Sequence, residues 1–307
     1  MVFKGLCFLS LFAIFHCAMI KKVFKTSWRN EGVGAKVMRA IGVSELEDLD
    51  PFLMLDFFKV KLPAGFPDHP HRGFETVTYM VEGNINHEDF KGNKGTIGPG
   101  GVQWMTAGKG ILHAEMPSSF DEYSLGFQLW INLPKEKKLM DPRYQEYTKE
   151  QLKSYKDDLI KVIVIAGEYK GVSSQIKPES TTHFYDVILQ PKSTFEHLIP
   201  EGWNALVYPY TDSPFSINDQ KIESHHACVL KGSGSETFKV SNSCDEKQAK
   251  FIIIYGKPLN EPISKYGPFV MNTQSEIQQT FNDFKQGKNG FENADIWESE
   301  VRHLANK

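Results

Sequence analysis

Two short ligand pairs stand out between Gly65 and Pro117: His69 and His71 in HPHRGFETVTYMVEG, and His113 and Glu115 in GKGILHAEMP. Each pair is spaced i, i+2, and on extended backbone that spacing puts both side chains on one face of a strand. Two such strands side by side would converge three imidazoles and a carboxylate on one point. The set holds no thiolate, which disfavours a structural zinc site built on cysteine and suits a metal that takes five or six bonds. Four protein ligands leave one or two positions open on iron or manganese, and non-haem Fe(II), one per chain, is the metal expected. A lone H-x-H is ordinarily a pair of surface or hydrogen-bonded histidines. It is the second same-face pair, reached after the turn signal Gly98, Pro99, Gly100 and Gly101, that favours a metal.

The surrounding elements read as short strands. LMLDFFKVKL leads to a stretch broken by Pro63, Gly65, Pro67 and Pro70, which delivers a rigid loop to the first ligand pair. Alternation continues over Phe74 to Val81, the turn Glu82-Gly83-Asn84 reverses it, and further strands fall at Ile85 to Phe90 and Leu125 to Leu133. Strands this short, with turn signals this close, imply an all-β sandwich or barrel. Residues 136–158 are polar and charged and read as a connection, with Thr148 and Gln151 offering a capping box for one short helix. A second β-rich run starts with IKVIVIA at Ile160 and repeats the rhythm of the first half, which suggests a duplicated barrel. After Ile254 the pattern turns helical: Ser275 and Gln278 form a capping box, Ile277, Phe281 and Phe284 share a face, and a last helix is expected over Asn293 to Leu304. The expected organisation is a leader or extension over 1–20, a barrel over 21–135 with the metal site, the connection, and a barrel over 159–307 without ligands. In that second half His225 and His226 are adjacent and point to opposite faces, while His183 and His197 stand alone. His87 follows the turn at Gly83 and reads as a surface or rim residue.

Composition narrows the function classes. The chain has 307 residues, a formal net charge of −3, 40% hydrophobic and 24% charged residues, which describes a folded globular protein with no basic stripe for nucleic acid. Of four cysteines only Cys228 and Cys244 belong to the folded body, so the chain is no disulfide-stapled scaffold; two reduced thiols are expected, with one bridge between them as the alternative. The apolar run GLCFLSLFAIFHCAMI after Lys4 has the shape of a signal peptide and is too brief for a stable transmembrane span, although His16 occupies the −3 position for cleavage after Ala18. If it works as a signal, the protein enters the secretory pathway. If translation starts at Met19, the protein is expected in nucleus and cytoplasm.

Longer motifs add a resemblance. FPDHPHRGFETVTYM from Phe66, QWMTAGKGILHAEMP from Gln103, EGVGAKV from Glu31, DPFLMLDFF from Asp50 and GPFVMNT from Gly267 resemble the pirin family, two-domain members of the cupin superfamily, from about Lys21 almost to the C-terminus. The resemblance implies an all-β fold of two tandem cupin (jelly-roll-like) barrels with a few short helices, and an iron held by His69, His71, His113 and Glu115. The general cupin pattern would recruit Glu75 instead, four residues beyond His71 and on the same face of a regular strand. Glu75 is therefore expected as an alternative ligand or as a support behind one.

Two functions follow from the resemblance. One is a quercetin 2,3-dioxygenase, in which Fe(II) meets dioxygen and a flavonol-like aromatic, with Glu115 both a weak ligand and the base for the substrate hydroxyl. The other is an iron-dependent, redox-sensing transcriptional cofactor that binds NF-κB-type complexes without touching nucleic acid directly. A monomer is the expected state for both. A third reading is a cupin that binds metal without activity. Asp68, Arg72, Glu75, Gln103 and Gln128 are the polar residues expected to orient the ligand imidazoles through their other nitrogen, and Phe57, Met105, Phe127 and Trp130 the apolar ones expected to line a substrate pocket.

Overall fold

A computed structural model of the chain describes residues 19–235 and 237–306. The leader reading therefore falls outside the described residues as far as residue 18. Among the described residues, no helix is long and apolar enough to cross a membrane.

The strands of the first half are β1 (Met19–Lys25), β2 (Trp28–Glu31), β3 (Ala35–Ile41), β4 (Phe52–Val60), β5 (Phe66–His71), β6 (Phe74–Glu82), β7 (Ile85–Asp89), β8 (Lys94–Ile97), β9 (Val102–Thr106), β10 (Ile111–Pro117), β11 (Ser124–Asn132) and β12 (Arg143–Tyr147). Those of the second half are β13 (Ser154–Lys156), β14 (Ile160–Ala166), β15 (Glu168–Tyr169), β16 (Val172–Ser173), β17 (Thr182–Leu189), β18 (Thr194–Leu198), β19 (Asn204–Pro209), β20 (Phe215–Ile217), β21 (Gln220–Ile222), β22 (His226–Lys231), β23 (Thr237–Asn242), β24 (Ala249–Gly256), β25 (Ser264–Tyr266) and β26 (Phe269–Met271). One α-helix, α1, spans Gln274–Gln286.

These strands build two barrels of one design. In the first, the large sheet β12-β9-β6-β11-β4-β3-β2 faces the small sheet β5-β10-β7-β8; in the second, β1-β22-β19-β24-β17-β14-β13 faces β18-β23-β20-β21. The duplication expected from the sequence is thus real. Its edges cross the expected boundaries. β1, at the start of the chain, completes the second barrel by pairing with β22, and the polar connection gives β12 to the first barrel and β13 to the second. No α-helix forms at Thr148; its amide bonds Gln151 Oε1 in a turn.

Alternation in the central strands serves the contact between barrels. Phe127, Leu129 and Ile131 on β11 and Val77 and Tyr79 on β6 pack against Phe184, Leu206, Ile252 and Ile254 of the second large sheet in one apolar cluster. The opposite face of each large sheet looks into its own barrel. The second barrel fills that interior with a continuous apolar cluster that includes Val187, Phe195, Val207, Phe238 and Ile253. The first holds only smaller, separate clusters, one around Val37, Phe58 and Met80 and another of Met105, Ala107 and Ile111, and leaves the rest to polar side chains.

Glu75 belongs to the contact face and not to the metal site. Arg72 and Gly73 interrupt the extended run between β5 and β6, so the four-residue spacing from His71 does not keep Glu75 on the ligand face. Its carboxylate accepts from Thr106 Oγ1 at 2.8 Å and from the Glu179 amide at 3.2 Å, which joins the two halves. Burial pushes this carboxyl up to about 7.

The C-terminal segment ties back onto the ligand strand. The amide of Val270 on β26 donates to Arg72 O at 3.0 Å, and Gly73 is required there, since a Cβ would lie 1.9 Å from Val270 O at a backbone φ of +88°. The buried Arg72 guanidinium donates to Asp283 Oδ2 on α1 at 2.8 Å and to the carbonyls of Lys109 and Asn289, and lies over the Phe291 ring. Buried Lys138, its amine pushed down to about 8 by desolvation, donates to Gly73 O, Asn132 Oδ1 and Val270 O. The motif GPFVMNT is thus the segment clamped against the end of β5. The helix cap is Thr273 with Glu276, two residues earlier than Ser275 with Gln278, and the last helix expected over Asn293 to Leu304 is a series of turns ending in a 3-10 turn, Arg302–Asn306. Cys228 and Cys244 are free thiols.

Two predictions follow from these buried charges. The Glu75 carboxyl binds its proton more tightly folded than unfolded, so its contribution to stability declines as pH rises from about 4.5 to about 7. Glu75→Gln removes that dependence and gains about 2 kcal/mol on wild type between pH 5 and pH 8; thermal melts that stay parallel across this range would refute the assignment. Arg72→Met leaves Asp283 buried without its cation and costs about 3 kcal/mol. Calorimetry and metal retention on dialysis check it, with a fall in both expected and wild-type values in both counting against the clamp.

Candidate metal centre

The ligand strands pair as their spacing requires. β5 and β10 run antiparallel with His69 directly opposite His113 and His71 opposite Ile111. The imidazole centroids lie 4.7 Å apart for His69 and His71, 4.4 Å for His69 and His113, and 5.0 Å for His71 and His113. One nitrogen from each ring can be chosen so that all three lie within 4.8 Å of one another.

The three rings are prepared for a cation. His69 Nδ1 donates to Pro67 O at 2.8 Å, which leaves Nε2 as the free lone pair. His113 is 1% exposed, and neither of its nitrogens has a hydrogen-bond partner. Such an orphan is costly in a protein interior and marks a missing partner. Burial holds all three imidazoles below their ordinary pKa, that of His71 and of His113 well below, so they are neutral and able to coordinate near neutral pH. The donor set therefore fits a first-row divalent metal.

Glu115 stands on the same strand face as His113, although a bulge separates them in the pairing with β5. Its carboxylate accepts from Thr78 Oγ1 at 2.6 Å and from Gln128 Nε2 at 3.1 Å. It lines the site but lies outside the tight group of three histidines. Gln128, expected to orient an imidazole, holds this carboxylate instead, and Thr78, overlooked in the sequence, shares that role. Thr78 sits on β6 beside Gln128 on β11, a register that single-strand reading does not show.

Several expected residues do other work. Asp68 accepts from the amide and hydroxyl of Ser299 and so holds the chain end, as Arg72 holds α1. Gln103 Nε2 donates to Glu146. His87 is 3% exposed and no rim residue; its Nε2 donates to Glu146 Oε2 at 2.8 Å, and it stands opposite Glu115 across the β7–β10 pairing. Of the four apolar residues, only Trp130 lines the cavity at the site, while Phe57 and Phe127 pack between the barrels and Met105 packs with Ile111. His183 and His197 are not isolated: Tyr185 and Tyr255 join them in one hydrogen-bonded chain in the second barrel.

The cavity opens beside the histidines and has a volume of about 650 Å³, ample for a molecule of three aromatic rings. His69, His71, Glu115 and Gln128 border one end. The Trp130 and His71 rings meet in a T-shaped arrangement with centroids 5.3 Å apart, and Gly267 and Pro268 of the clamped segment form a wall.

Comparison with known proteins agrees with this architecture. Residues 34–131 match the family model described as Pirin, and residues 184–290 match the Pirin C-terminal cupin domain. Pirin-like protein 2 of Arabidopsis thaliana is 48% identical over 92% of this chain and 88% of its own length, and pirin of Homo sapiens is 47% identical over 89% and 94%. A quercetin 2,3-dioxygenase from Acinetobacter baumannii superposes with a TM-score of 0.81 at 32% identity, covering 89% of this chain and 99% of that one. A bacterial pirin from Escherichia coli in complex with nickel(II) shares the fold at a TM-score of 0.63 and 20% identity, over 78% and 98%. Family models for both halves, and relatives aligned over nearly their whole length, show that the chain belongs to the pirin family of two-domain cupins.

Proposed function

We propose that this protein is an iron-dependent quercetin 2,3-dioxygenase, which opens a flavonol ring with dioxygen and releases carbon monoxide. The observation that carries the reading is the open flank of the histidine cluster: two of its three neutral imidazoles, His69 and His71, border a mostly apolar cavity large enough for a flavonol. The A. baumannii dioxygenase, similar in fold and at 32% identity, supports the same reaction class. His69, His71 and His113 would hold Fe(II), with Glu115 as the fourth ligand. Bound there, the ion supplies a Lewis acid for the substrate oxygen and a redox centre for dioxygen. The nickel(II) complex of the E. coli relative is consistent with an imidazole-rich site that also accepts other first-row metals.

The chain's own residues account for the remaining steps. Trp130 and the wall at Gly267 and Pro268 take up the flat faces of the substrate and exclude water from the reacting ring. Glu115 receives the proton of the substrate 3-hydroxyl. Thr78 and Gln128 aim its carboxylate, each donating to one oxygen and leaving a lone pair on each for that proton.

The test is oxygen uptake on addition of quercetin to protein starting at Met19 and loaded anaerobically with one Fe(II). Catalytic uptake by wild type and none by His113→Ala is expected. No uptake from fully loaded protein would overturn the dioxygenase and favour a regulator that binds a protein partner through its iron state. Glu115→Gln keeps the three histidines and is expected to lose about 100-fold in rate at equal iron content. Wild-type turnover by that variant would remove Glu115 as the base.

A further inference from the structure

β5 carries two of the three imidazoles and is loosely paired. It lies at the edge of the small sheet, where its neighbour is β10. Pro67 and Pro70 bring no N–H to that ladder, and the register shifts between His113 and Glu115. An edge strand that lifts takes His69 and His71 away from a metal together. What holds β5 down therefore decides how firmly the site keeps its ion.

The C-terminal tail supplies a hold on the outer face of the sheet. By strand alternation Asp68 points away from the face of His69, and Glu88, opposite Ala114, away from that of His113. Both carboxylates meet consecutive residues of the tail. The Ser299 amide donates to Asp68 Oδ2 at 3.2 Å and its hydroxyl to Oδ1 at 2.5 Å, while the Glu300 amide donates to Glu88 Oε2 at 2.7 Å. Since β5 and β7 flank β10, Ser299 and Glu300 staple the strands on either side of it across the middle one. Lys94 on β8 adds ion pairs to Glu300 and Glu88, and the 3-10 turn Arg302–Asn306 packs on β5 and β10. The tail's apolar anchorage is slight: Ile296 is 74% exposed, and Val301 and Leu304 are only partly buried. A segment held chiefly by a few polar bonds opens at low cost, without the rest of the barrel.

We infer that residues 299–306 are a strap that controls metal exchange. While the strap spans the outer face of the small sheet, β5 is held against β10 and the ion stays; when it lifts, β5 peels from the sheet edge and gives up two imidazoles at once. Asp68, Glu88, Ser299 and Glu300 are positioning residues in this scheme, acting on the ion through β5 without touching it. The inference rests on the histidine cluster as a metal site and not on the reaction proposed for it.

Release of one bound Ni(II) to an excess of the chromogenic chelator pyridylazoresorcinol, from protein starting at Met19, reads the strap without oxygen or substrate. Loss of both acceptors in Asp68→Ala/Glu88→Ala is expected to speed release about 10-fold. Asp68→Asn/Glu88→Gln keeps an acceptor oxygen at each position and is expected to restore a rate within about 2-fold of wild type. Asp141→Ala, which removes an exposed carboxylate paired with Lys109 elsewhere on the same barrel, is expected to leave the rate unchanged. Amide hydrogen exchange in the metal-free proteins separates a strap from a general lesion: the fast variant is expected to lose protection in β5 and β10 and to keep it in β6 and β11. Wild-type release from Asp68→Ala/Glu88→Ala, equal acceleration by Asp141→Ala, or protection lost throughout the barrel would overturn the inference, as would failure of the wild type to hold Ni(II). Should the double variant not fold, Ser299→Pro decides, since it deletes the amide and hydroxyl donors on the tail alone: faster release supports the strap, and unchanged release refutes it.

Discussion

The pairing of β5 with β10 is the constraint on which the site depends. With His69 opposite His113, a slip of one residue in either strand would turn its ligands to the other face of the small sheet and dissolve the cluster. Much of the surrounding structure works to hold that register. The Pro67 carbonyl orients His69, Arg72 ties the end of β5 to α1, and the clamped strand β26 presses against Gly73. Residues near the far end of the chain thereby steady the ligands, a form of support that places β5 under tertiary control.

The second barrel shows what becomes of the same framework without the histidine cluster. β18 and β23 occupy the places of β5 and β10, and there His197 stands opposite Phe238 as His69 stands opposite His113. A phenyl ring at that point closes the interior, and apolar packing takes over. Of the polar groups kept at this end, His183, Tyr185, Tyr255 and His197 satisfy one another in a chain of hydrogen bonds. Burial holds both imidazoles down to about 4, so they remain neutral. The apolar barrel also presents a rigid face to the back of the site-bearing sheet. Tyr79 from one barrel and Tyr210 from the other donate to a single buried carboxylate, Asp186, across that contact.

The two faces of the first large sheet divide the labour. Odd-numbered positions of β6 and β11 meet the second barrel, and even-numbered ones look into the cavity, where Thr78 and Gln128 aim Glu115. Strand alternation alone thus separates stability from chemistry within single segments. It also explains why Glu75 and Thr78, three residues apart, belong to different worlds: one joins the barrels, the other addresses the site.

The sequence by itself determined the strand rhythm, the duplicated barrel and the histidine pairs, because alternation and i, i+2 spacing are local consequences of backbone geometry. Local reading failed where a break in the strand or a distant partner intervened. Arg72 and Gly73 interrupt the extended run and turn Glu75 away; β1 leaves the first half to complete the second; His87, just past the turn at Gly83, is buried where β12 brings Glu146 over it. The short helices expected at Thr148 and Asn293 rest on capping signals that turns satisfy equally well. Only the tertiary structure decided which polar residues share a row across six strands, since cross-strand register depends on how separate segments pair and no spacing within one segment encodes it.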